Sequence, residues 1–203
     1  MKKIILASAS PRRKQLLEQM KLKFEIIPSN IIEDYQENQE PEEVARDLAK
    51  KKAMDIARIS KNSLVIGADT VVFLNEILGK PRDEKDALEI LKKLSGKTHY
   101  VITGIAVIDS STKKLVVDHE KTAVKMKKIS EREIKDYIST GEPMDKAGAY
   151  GIQGLGSVFI EEIHGCYFNV VGLPVSKLYS ILKGFGVDLF REEVKKQDGK
   201  GFE

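Results

Sequence analysis

The segment Leu64–Leu74, which reads LVIGADTVVFL, limits the possible folds of this chain more than any other segment. Its apolar and β-branched residues predict buried strand. Gly67 and Asp69 interrupt the run, so we predict two strand segments with a bend or a close backbone approach at the glycine. A carboxylate among buried residues needs a partner such as a metal ion or a lysine. Asp69 is therefore a candidate functional residue, and the alternative is a turn aspartate that bonds to its own backbone.

Strand and helix signals alternate along the rest of the chain. Further strands are predicted at Ile4–Ala7, Phe24–Ile27, Tyr100–Ile108, Lys114–Met126, 157–163 and 166–171. Helices are predicted to begin at the capping or proline positions Ser10-Pro11, Pro41, Asp83, Ser130 and Pro174. The alternation is irregular, and the second half contains hairpin-like strand pairs. This pattern predicts an α/β domain with a mixed sheet.

Composition sets the broad class of the protein. Of the 203 residues 41% are hydrophobic, which fits one compact domain; we assign it to residues 1–190 and expect a polar, disordered tail over 191–203. The net charge of +3 indicates no general affinity for nucleic acid or for an anionic membrane. A single cysteine excludes an internal disulfide, and no run approaches the roughly 20 apolar residues of a membrane helix. We therefore expect a cytoplasmic protein.

The motif Ser8-Ala-Ser10-Pro-Arg12-Arg13 lies where the first predicted strand gives way to a helix. Free amides at a helix N-terminus, together with two guanidinium groups, form a favourable site for phosphate. The alternative is an ordinary capped helix with two solvated arginines, since serine and proline are common at such positions. On spacing alone both interpretations stand.

Two lysines are further candidates for binding an anion. Lys52 lies in the apolar stripe of the helix that begins at Pro41, so its ammonium must either extend to solvent or meet an anion. Lys80 follows Gly79 at a predicted tight turn, where an ordinary exposed lysine is the simpler interpretation.

Several other chemistries are excluded by spacing. His99, His119 and His164 do not form the pairs or Cys/His clusters of a zinc site. Cys166 lies near His164 but lacks a visible orienting group, which argues against a nucleophilic thiol. Neither a G-x-x-x-x-G-K-[ST] loop nor a G-x-G-x-x-G after a strand is present. The four glycines within residues 145–156 therefore predict a shaped loop and not a nucleotide fingerprint.

Taken together, these segments resemble the Maf family of nucleotide pyrophosphatases, over roughly Ile4 to Lys183. The matching pieces, in chain order, are Ser8-Ala-Ser-Pro-Arg-Arg13, Lys52-Ala53, Gly67-Ala-Asp-Thr-Val-Val72, Gly79-Lys-Pro81, Leu94-Ser-Gly96, Asp145-Lys-Ala-Gly-Ala-Tyr-Gly-Ile-Gln-Gly154 and Asn169-Val-Val-Gly-Leu-Pro174. Seven motifs in order, one of them ten residues long, make chance agreement negligible.

The resemblance implies both a fold and an activity. The implied fold is an elongated mixed sheet flanked by helices, with two lobes around a central cleft, similar to the inosine triphosphatase fold. The implied activity is hydrolysis of a nucleoside triphosphate to the monophosphate and pyrophosphate, with a divalent cation, Mg²⁺ or Mn²⁺, as cofactor. The resemblance also implies a homodimer.

The resemblance assigns roles residue by residue. Asp69 matches the family's proton acceptor, and Arg12, Thr70 and Gln153 match the positions that mark a branch acting on dTTP and UTP. Other polar cleft positions are matched by Ser8, Arg13, Glu33, Lys52 and Lys80, with Glu33 joining Asp69 as a candidate metal ligand. The alternatives are a pyrophosphatase for 7-methyl-GTP or another modified nucleotide, and a cell-division regulator without catalysis.

Overall fold

The computed structural model describes residues 2–36 and 39–190. Its strands are β1 (Lys3–Leu6), β2 (Glu25–Ile26), β3 (Ser63–Leu74), β4 (Glu76–Leu78), β5 (Thr98–Asp109), β6 (Leu115–Met126) and β7 (Ile160–His164). Its helices are α1 (Pro11–Gln19), α2 (Pro41–Ile59), α3 (Glu84–Leu94), α4 (Glu131–Ser139), α5 (Tyr167–Val171) and α6 (Val175–Lys183), with short 3₁₀ helices at Glu142–Asp145, Ala147–Ala149 and Leu155–Phe159. The predicted tail over 191–203 lies outside the described residues. Within them, no helix is both long and apolar enough to cross a membrane.

The strands form one mixed sheet in the order β2-β1-β3-β5-β6-β7, with β4 paired to β3 beside this path. β1 runs parallel to β2 and to β3, whereas β3, β5, β6 and β7 pair antiparallel in turn. The predicted α/β class with a mixed sheet is confirmed.

Helix starts follow the capping signals of the sequence. Ser10 accepts a hydrogen bond from the backbone N–H of Arg13 at the start of α1. Ser130 and Glu133 form the predicted capping box at the start of α4. These bonds satisfy amides that lack partners in the first helical turn. The first turn of α1 is thereby fixed directly after β1, where the arginine motif lies.

Helix α2 lies directly on the sheet because the strands beneath it carry glycine. A Cβ on Gly67 of β3 would lie 2.2 Å from the Ala49 carbonyl oxygen, and a Cβ on Gly104 of β5 would lie 2.0 Å from that of Ala45. Gly67 therefore marks a close approach and not a bend. The prediction of two strand segments was wrong, since β3 runs unbroken from Ser63 to Leu74.

Two predictions in the second half were also wrong. Residues 166–171 are not a strand, because Tyr167–Val171 is helix α5. The strand predicted at 157–163 is wrong only for residues 157–159, which end a 3₁₀ helix, since residues 160–163 do form strand β7. In α5 the Asn169 side chain donates to the Val101 carbonyl and to the Thr122 hydroxyl, and accepts from the Thr103 N–H. These distant bonds favour the helical turn over the strand preference of its apolar residues.

The two largest apolar clusters match the expected two lobes. The first joins β1, α1 and α6 and includes Leu6, Leu17, Ile66, Ile105 and Leu178. The second joins α3, α4 and the segment before β7 and includes Val72, Leu91, Val101, Ile134 and Phe159. β3 contributes to both clusters, and residues 69–70 lie where it passes from one to the other.

Candidate active site

A cavity of about 600 Å³ opens at this point of β3. All of the predicted site residues line it: Ser8, Arg12, Arg13, Glu33, Lys52, Asp69, Thr70, Lys80 and Gln153. They come from the turn before α1, the first turn of α1, the segment before α2, α2 itself, β3, the segment after β4 and the loop before β7. The fold thus brings together residues that are up to 145 positions apart in the sequence, from Ser8 to Gln153.

The alternation of β3 divides its two polar residues between the faces of the sheet. Val65, Gly67, Asp69 and Val71 share the face covered by α2, because successive side chains of a strand point to opposite faces. Thr70 lies on the opposite face. Asp69 therefore meets groups from α2, and Thr70 meets groups from α1.

On the α2 face, Lys52 connects two carboxylates. Its Nζ lies 2.5 Å from Asp69 Oδ1 and 2.6 Å from Glu33 Oε1. Lys52 and Asp69 are only 8% and 7% exposed, so their opposite charges compensate each other in a buried place. Lys52 thus meets anions and does not extend to solvent. The turn interpretation of Asp69 was wrong, because Asp69 lies within a strand and pairs with Gly104.

The same lysine determines the ionisation of Glu33. Burial raises the pKa of Glu33, but the hydrogen bond from Lys52 and the charges of Lys52 and Lys80 outweigh burial and lower it below its usual value. Glu33 is half-exposed at the cleft. It therefore presents a negative charge beside Asp69 at neutral pH.

On the α1 face, Arg13 is buried and held at three of its nitrogens. Nε donates to the Gly172 carbonyl at 2.8 Å, one terminal nitrogen to Ser8 Oγ at 3.1 Å, and the other to Thr70 Oγ1 at 3.1 Å. Burial lowers the pKa of the guanidinium, and the Asp69 charge acts in the opposite direction. The interpretation of two solvated arginines is wrong for Arg13. Three of its five N–H groups fix it in place, which leaves two for a ligand.

A chain of hydrogen bonds behind Arg13 has a fixed direction. Thr103 Oγ1 donates to the Asn169 carbonyl at 3.0 Å, so its single proton is used there. The 2.9 Å contact between the Thr70 and Thr103 hydroxyls must then have Thr70 as donor. Thr70 also accepts from Arg13. The Thr70 hydroxyl consequently has no proton left for a ligand and can offer only a lone pair.

The remaining predicted residues lie at the rim. Arg12 is partly buried and its Nη1 lies 3.2 Å from Asp145 Oδ2, while the other carboxylate oxygen, Asp145 Oδ1, pairs with Lys146 at 2.6 Å. Lys80 and Gln153 are exposed. Among the described residues neither side chain has an ion pair or a hydrogen bond. Both are therefore available to a ligand in the cleft.

The carboxylates of Asp69 and Glu33 are the groups here that suit a divalent cation. No group of three or more His, Cys, Asp or Glu side chains that could hold a metal occurs within 2–36 and 39–190. Magnesium, however, commonly binds through one or two carboxylates together with substrate phosphates and water. Asp69 and Glu33 supply two such carboxylates on the two sides of Lys52, and Asp69 Oδ2 is not bonded to that lysine.

Sequence reasoning missed three residues that shape the cleft. Asp145 lines it and pairs with Arg12, although it was identified only as the start of the glycine-rich loop. Glu142 and Tyr137 lie behind that loop and bond to it. No local signal marks Glu142, since its backbone partners are 13 and 14 residues away. The ion pair that Asp145 forms across the cleft is also distant in sequence, since its partner is Arg12.

Known proteins that are similar to this chain over most of its length belong to one family. The family described as "Maf-like protein" matches residues 3–185. A dTTP/UTP pyrophosphatase of Caldicellulosiruptor saccharolyticus is 50% identical over 96% of this chain and 100% of the relative. Proteins of the same name from Alkaliphilus metalliredigens and Aquifex aeolicus are 52% and 50% identical, over 93% and 89% of this chain and 100% and 94% of the relatives. Among solved structures, a HAM1 protein from Coxiella burnetii has a TM-score of 0.44 and 16% identity, over 62% of this chain and 73% of that chain.

Proposed function

The chain belongs to the Maf-like protein family, and we propose that it hydrolyses dTTP and UTP to the nucleoside monophosphate and pyrophosphate. The observation that carries this proposal is the buried Asp69 carboxylate, which faces cationic side chains within one cleft. The names of relatives at about 50% identity supply the substrate pair.

The triphosphate is bound by local positive charge. It carries about four negative charges, and Arg12, Arg13, Lys52 and Lys80 line the cleft that receives it. The net charge of the chain is only +3, so binding depends on these side chains and not on a generally basic surface. Arg13 is already fixed, so little of its freedom is lost on binding.

Asp69 acts as the general base. Its Oδ1 is bonded to Lys52, and its Oδ2 has no partner among the described residues, so Oδ2 is free to accept a proton from water. The oxygen of that water attacks the α-phosphorus, the bond from this phosphorus to the bridging oxygen breaks, and pyrophosphate leaves. A divalent cation held by Asp69 and Glu33 would lower the pKa of water and polarise the phosphate. Arg13 and Lys80 stabilise the charge on the leaving group.

Gln153 recognises the base. Its exposed amide can both donate and accept, which matches the imide edge shared by uracil and thymine. Arg12 and Thr70 match the other two positions that, by the family resemblance, mark the branch acting on dTTP and UTP. Since Thr70 can only accept a hydrogen bond, we infer that it faces a donor of the nucleotide or serves solely to orient Arg13.

The test is pyrophosphate release from dTTP, UTP, CTP, GTP and 7-methyl-GTP, with and without Mg²⁺ or Mn²⁺. We expect metal-dependent cleavage that is fastest with dTTP and UTP. Preference for 7-methyl-GTP would instead favour the other branch. Absence of release from every triphosphate, together with salt-sensitive DNA binding, would favour a non-catalytic regulator.

We also propose a homodimer, which the family resemblance implies, and a cytoplasmic location and a single domain over residues 1–190, which the composition favours. Light scattering of the purified chain measures the first, and limited proteolysis followed by mass spectrometry measures the last. A monomer, or an internal cut that leaves two stable fragments, would contradict these proposals.

A further inference from the structure

The loop that carries Gln153 is held through its backbone. Gln153 itself is exposed, and within the described residues its side chain forms no hydrogen bond. On either side of it, however, three backbone amides donate to two side chains outside the loop. The Gly151 N–H donates to Tyr137 Oη at 3.3 Å, and the N–H groups of Leu155 and Gly156 donate to Glu142 at 2.9 Å each.

Glu142 and Tyr137 form one connected unit. The Glu142 carboxylate uses both oxygens, Oε2 for Leu155 and Oε1 for Gly156, and Oε1 also accepts from the Tyr137 hydroxyl at 2.8 Å. A carboxylate that accepts two amides and a phenol has its orientation fixed by three bonds, each stronger because the acceptor is charged. We call Glu142 and Tyr137 the loop clamp.

Ionisation keeps the loop clamp in its bonded form. Burial raises the pKa of Glu142, but the hydrogen bonds from the two amides and from Tyr137 outweigh burial, and the pKa is lowered. Burial and the bond to Glu142 raise the pKa of the Tyr137 phenol. At neutral pH, Glu142 is therefore an acceptor and Tyr137 a donor, as the geometry requires.

The glycines of the loop allow this close contact. A Cβ on Gly154 would lie 2.7 Å from Glu142 Oε2, and Gly154 has a φ of +80°. A Cβ on Gly156 would lie 2.6 Å from Tyr137 Oη. Both positions thus face the loop clamp directly, and a side chain at either would displace it.

We propose that Glu142 and Tyr137 are positioning residues that set base selectivity by holding Gln153 at a fixed place on the cleft. Neither residue lines the cavity, so their effect must pass through the loop. The inference rests on the proposed function, because it takes Gln153 as the residue that recognises the base.

The test compares Glu142→Gln with Tyr137→Phe. In Glu142→Gln an NH₂ group replaces one acceptor and faces an amide donor, so at least one amide of the loop loses its partner. We expect the ratio of kcat/KM for UTP to that for GTP to fall about tenfold, chiefly through KM, with kcat for UTP within about threefold of wild type. Tyr137→Phe should lower the ratio less, because the backbone amides of Leu155 and Gly156 still donate to the Glu142 carboxylate.

Hydrogen exchange separates positioning from general stability. We expect faster amide exchange over residues 151–156 in Glu142→Gln and unchanged exchange in β3. The matched control is Glu161→Gln, an exposed glutamate that pairs with Lys125 at 3.2 Å, which should change neither measurement. If Glu142→Gln does not fold, Tyr137→Phe carries the test, since its ring keeps the edge contact with Phe159 at 5.2 Å.

Two results overturn the inference: unchanged selectivity despite faster exchange in the loop, or unchanged exchange in both variants. Failure of the proposed function looks different, since the wild-type protein would then release no pyrophosphate from dTTP or UTP. The exchange measurement still reports on the loop clamp in that case.

Discussion

The two sides of the cleft are built in different ways. The side that we propose binds phosphate, here called the phosphate side, comprises Ser8, Arg13, Lys52, Asp69 and Thr70. Arg13 bonds to Ser8 and Thr70, Lys52 bonds to Asp69, and all but Thr70 are buried. The side that we propose binds the base, here called the base side, comprises residues 142–156 and carries an exposed Gln153 on a loop held by its backbone amides. The charged side chains are thus fixed by packing, whereas Gln153, the residue that we propose recognises the base, is exposed on a loop. Substitutions should affect turnover on the first side and selectivity on the second.

The largest expected effect is that of Asp69→Asn on the phosphate side. We expect kcat to fall by about 10³-fold or more, because the proposed general base is removed. The midpoint of thermal unfolding should stay close to that of wild type, since Asn has nearly the same shape as Asp and Lys52 retains its ion pair with Glu33. The matched control is Asp34→Asn, an exposed aspartate that pairs with the neighbouring Lys51 at 3.1 Å. Near-normal turnover by Asp69→Asn would remove Asp69 from the mechanism.

The next largest effect concerns the packing of α2 against β3, which holds Lys52 beside Asp69. Gly67→Ala places a methyl group against the backbone of α2, which has no flexible side chain that could move away. We expect the free energy of unfolding to fall by about 3 kcal/mol, at the upper end of the usual cost of overpacking. Urea denaturation measures it. Gly79→Ala, where nothing lies within 4 Å of the new Cβ, should change stability by less than about 0.5 kcal/mol.

A pH effect is expected behind the base side, where buried His99 Nε2 lies 2.7 Å from the hydroxyl of Tyr150. Burial lowers the pKa of His99 from 6.5 to about 4. Between pH 4 and 6.5 His99 is protonated in the unfolded chain but not in the folded one. The stability that comes from burying the neutral imidazole is therefore fully present above pH 6.5 and is lost as the pH falls to about 4. The full difference amounts to about 3 kcal/mol.

Removing the histidine tests this pH effect. We expect the free energy of unfolding of His99→Gln to decline less steeply than that of wild type between pH 6.5 and 4. Chemical denaturation at a series of pH values gives both slopes, and the difference between them isolates His99 from the carboxylates that titrate in the same range. Parallel slopes would show that His99 does not contribute.

The smallest expected effect is that of Gln153→Glu on the base side. A carboxylate can only accept hydrogen bonds, so it no longer complements the imide edge, which has both a donor and acceptors. We expect the kcat/KM ratio of UTP to GTP to fall about tenfold, or about 1.4 kcal/mol, with little change in stability. A substrate panel measures this ratio. An unchanged preference would place base recognition elsewhere and would erase the contrast between the two sides.

Sequence reasoning reached the phosphate side more fully than the base side for a physical reason. Lys52 in an apolar stripe and Asp69 in an apolar run are each anomalous locally, and two such anomalies in buried elements predict a pair. Glu142 is not anomalous, because a glutamate after a helix-ending glycine is ordinary. Its importance arises only from amides that the chain brings back to it 13 and 14 residues later.

The errors in the fold have the same origin. Gly67 suggested a bend or a close backbone approach, and the structure shows the close approach, with α2 as the element that packs against it. The apolar residues of Tyr167–Val171 suggested a strand, but Asn169 bonds to β5 and β6 from a helical turn. Boundaries marked by capping residues were predicted well, because a cap acts within a few residues of itself.

The unbroken course of β3 also limits how the cleft can open. β3 and β5 stay paired from Leu64–Asp109 through to Phe73–Tyr100, past both lobes and beneath the cavity. Because this ladder continues through both lobes, we expect the sheet to resist a movement that separates them. Entry and exit of a nucleotide must therefore depend on the rim, where the Arg12–Asp145 ion pair spans from α1 to the base side and can part without disturbing the sheet.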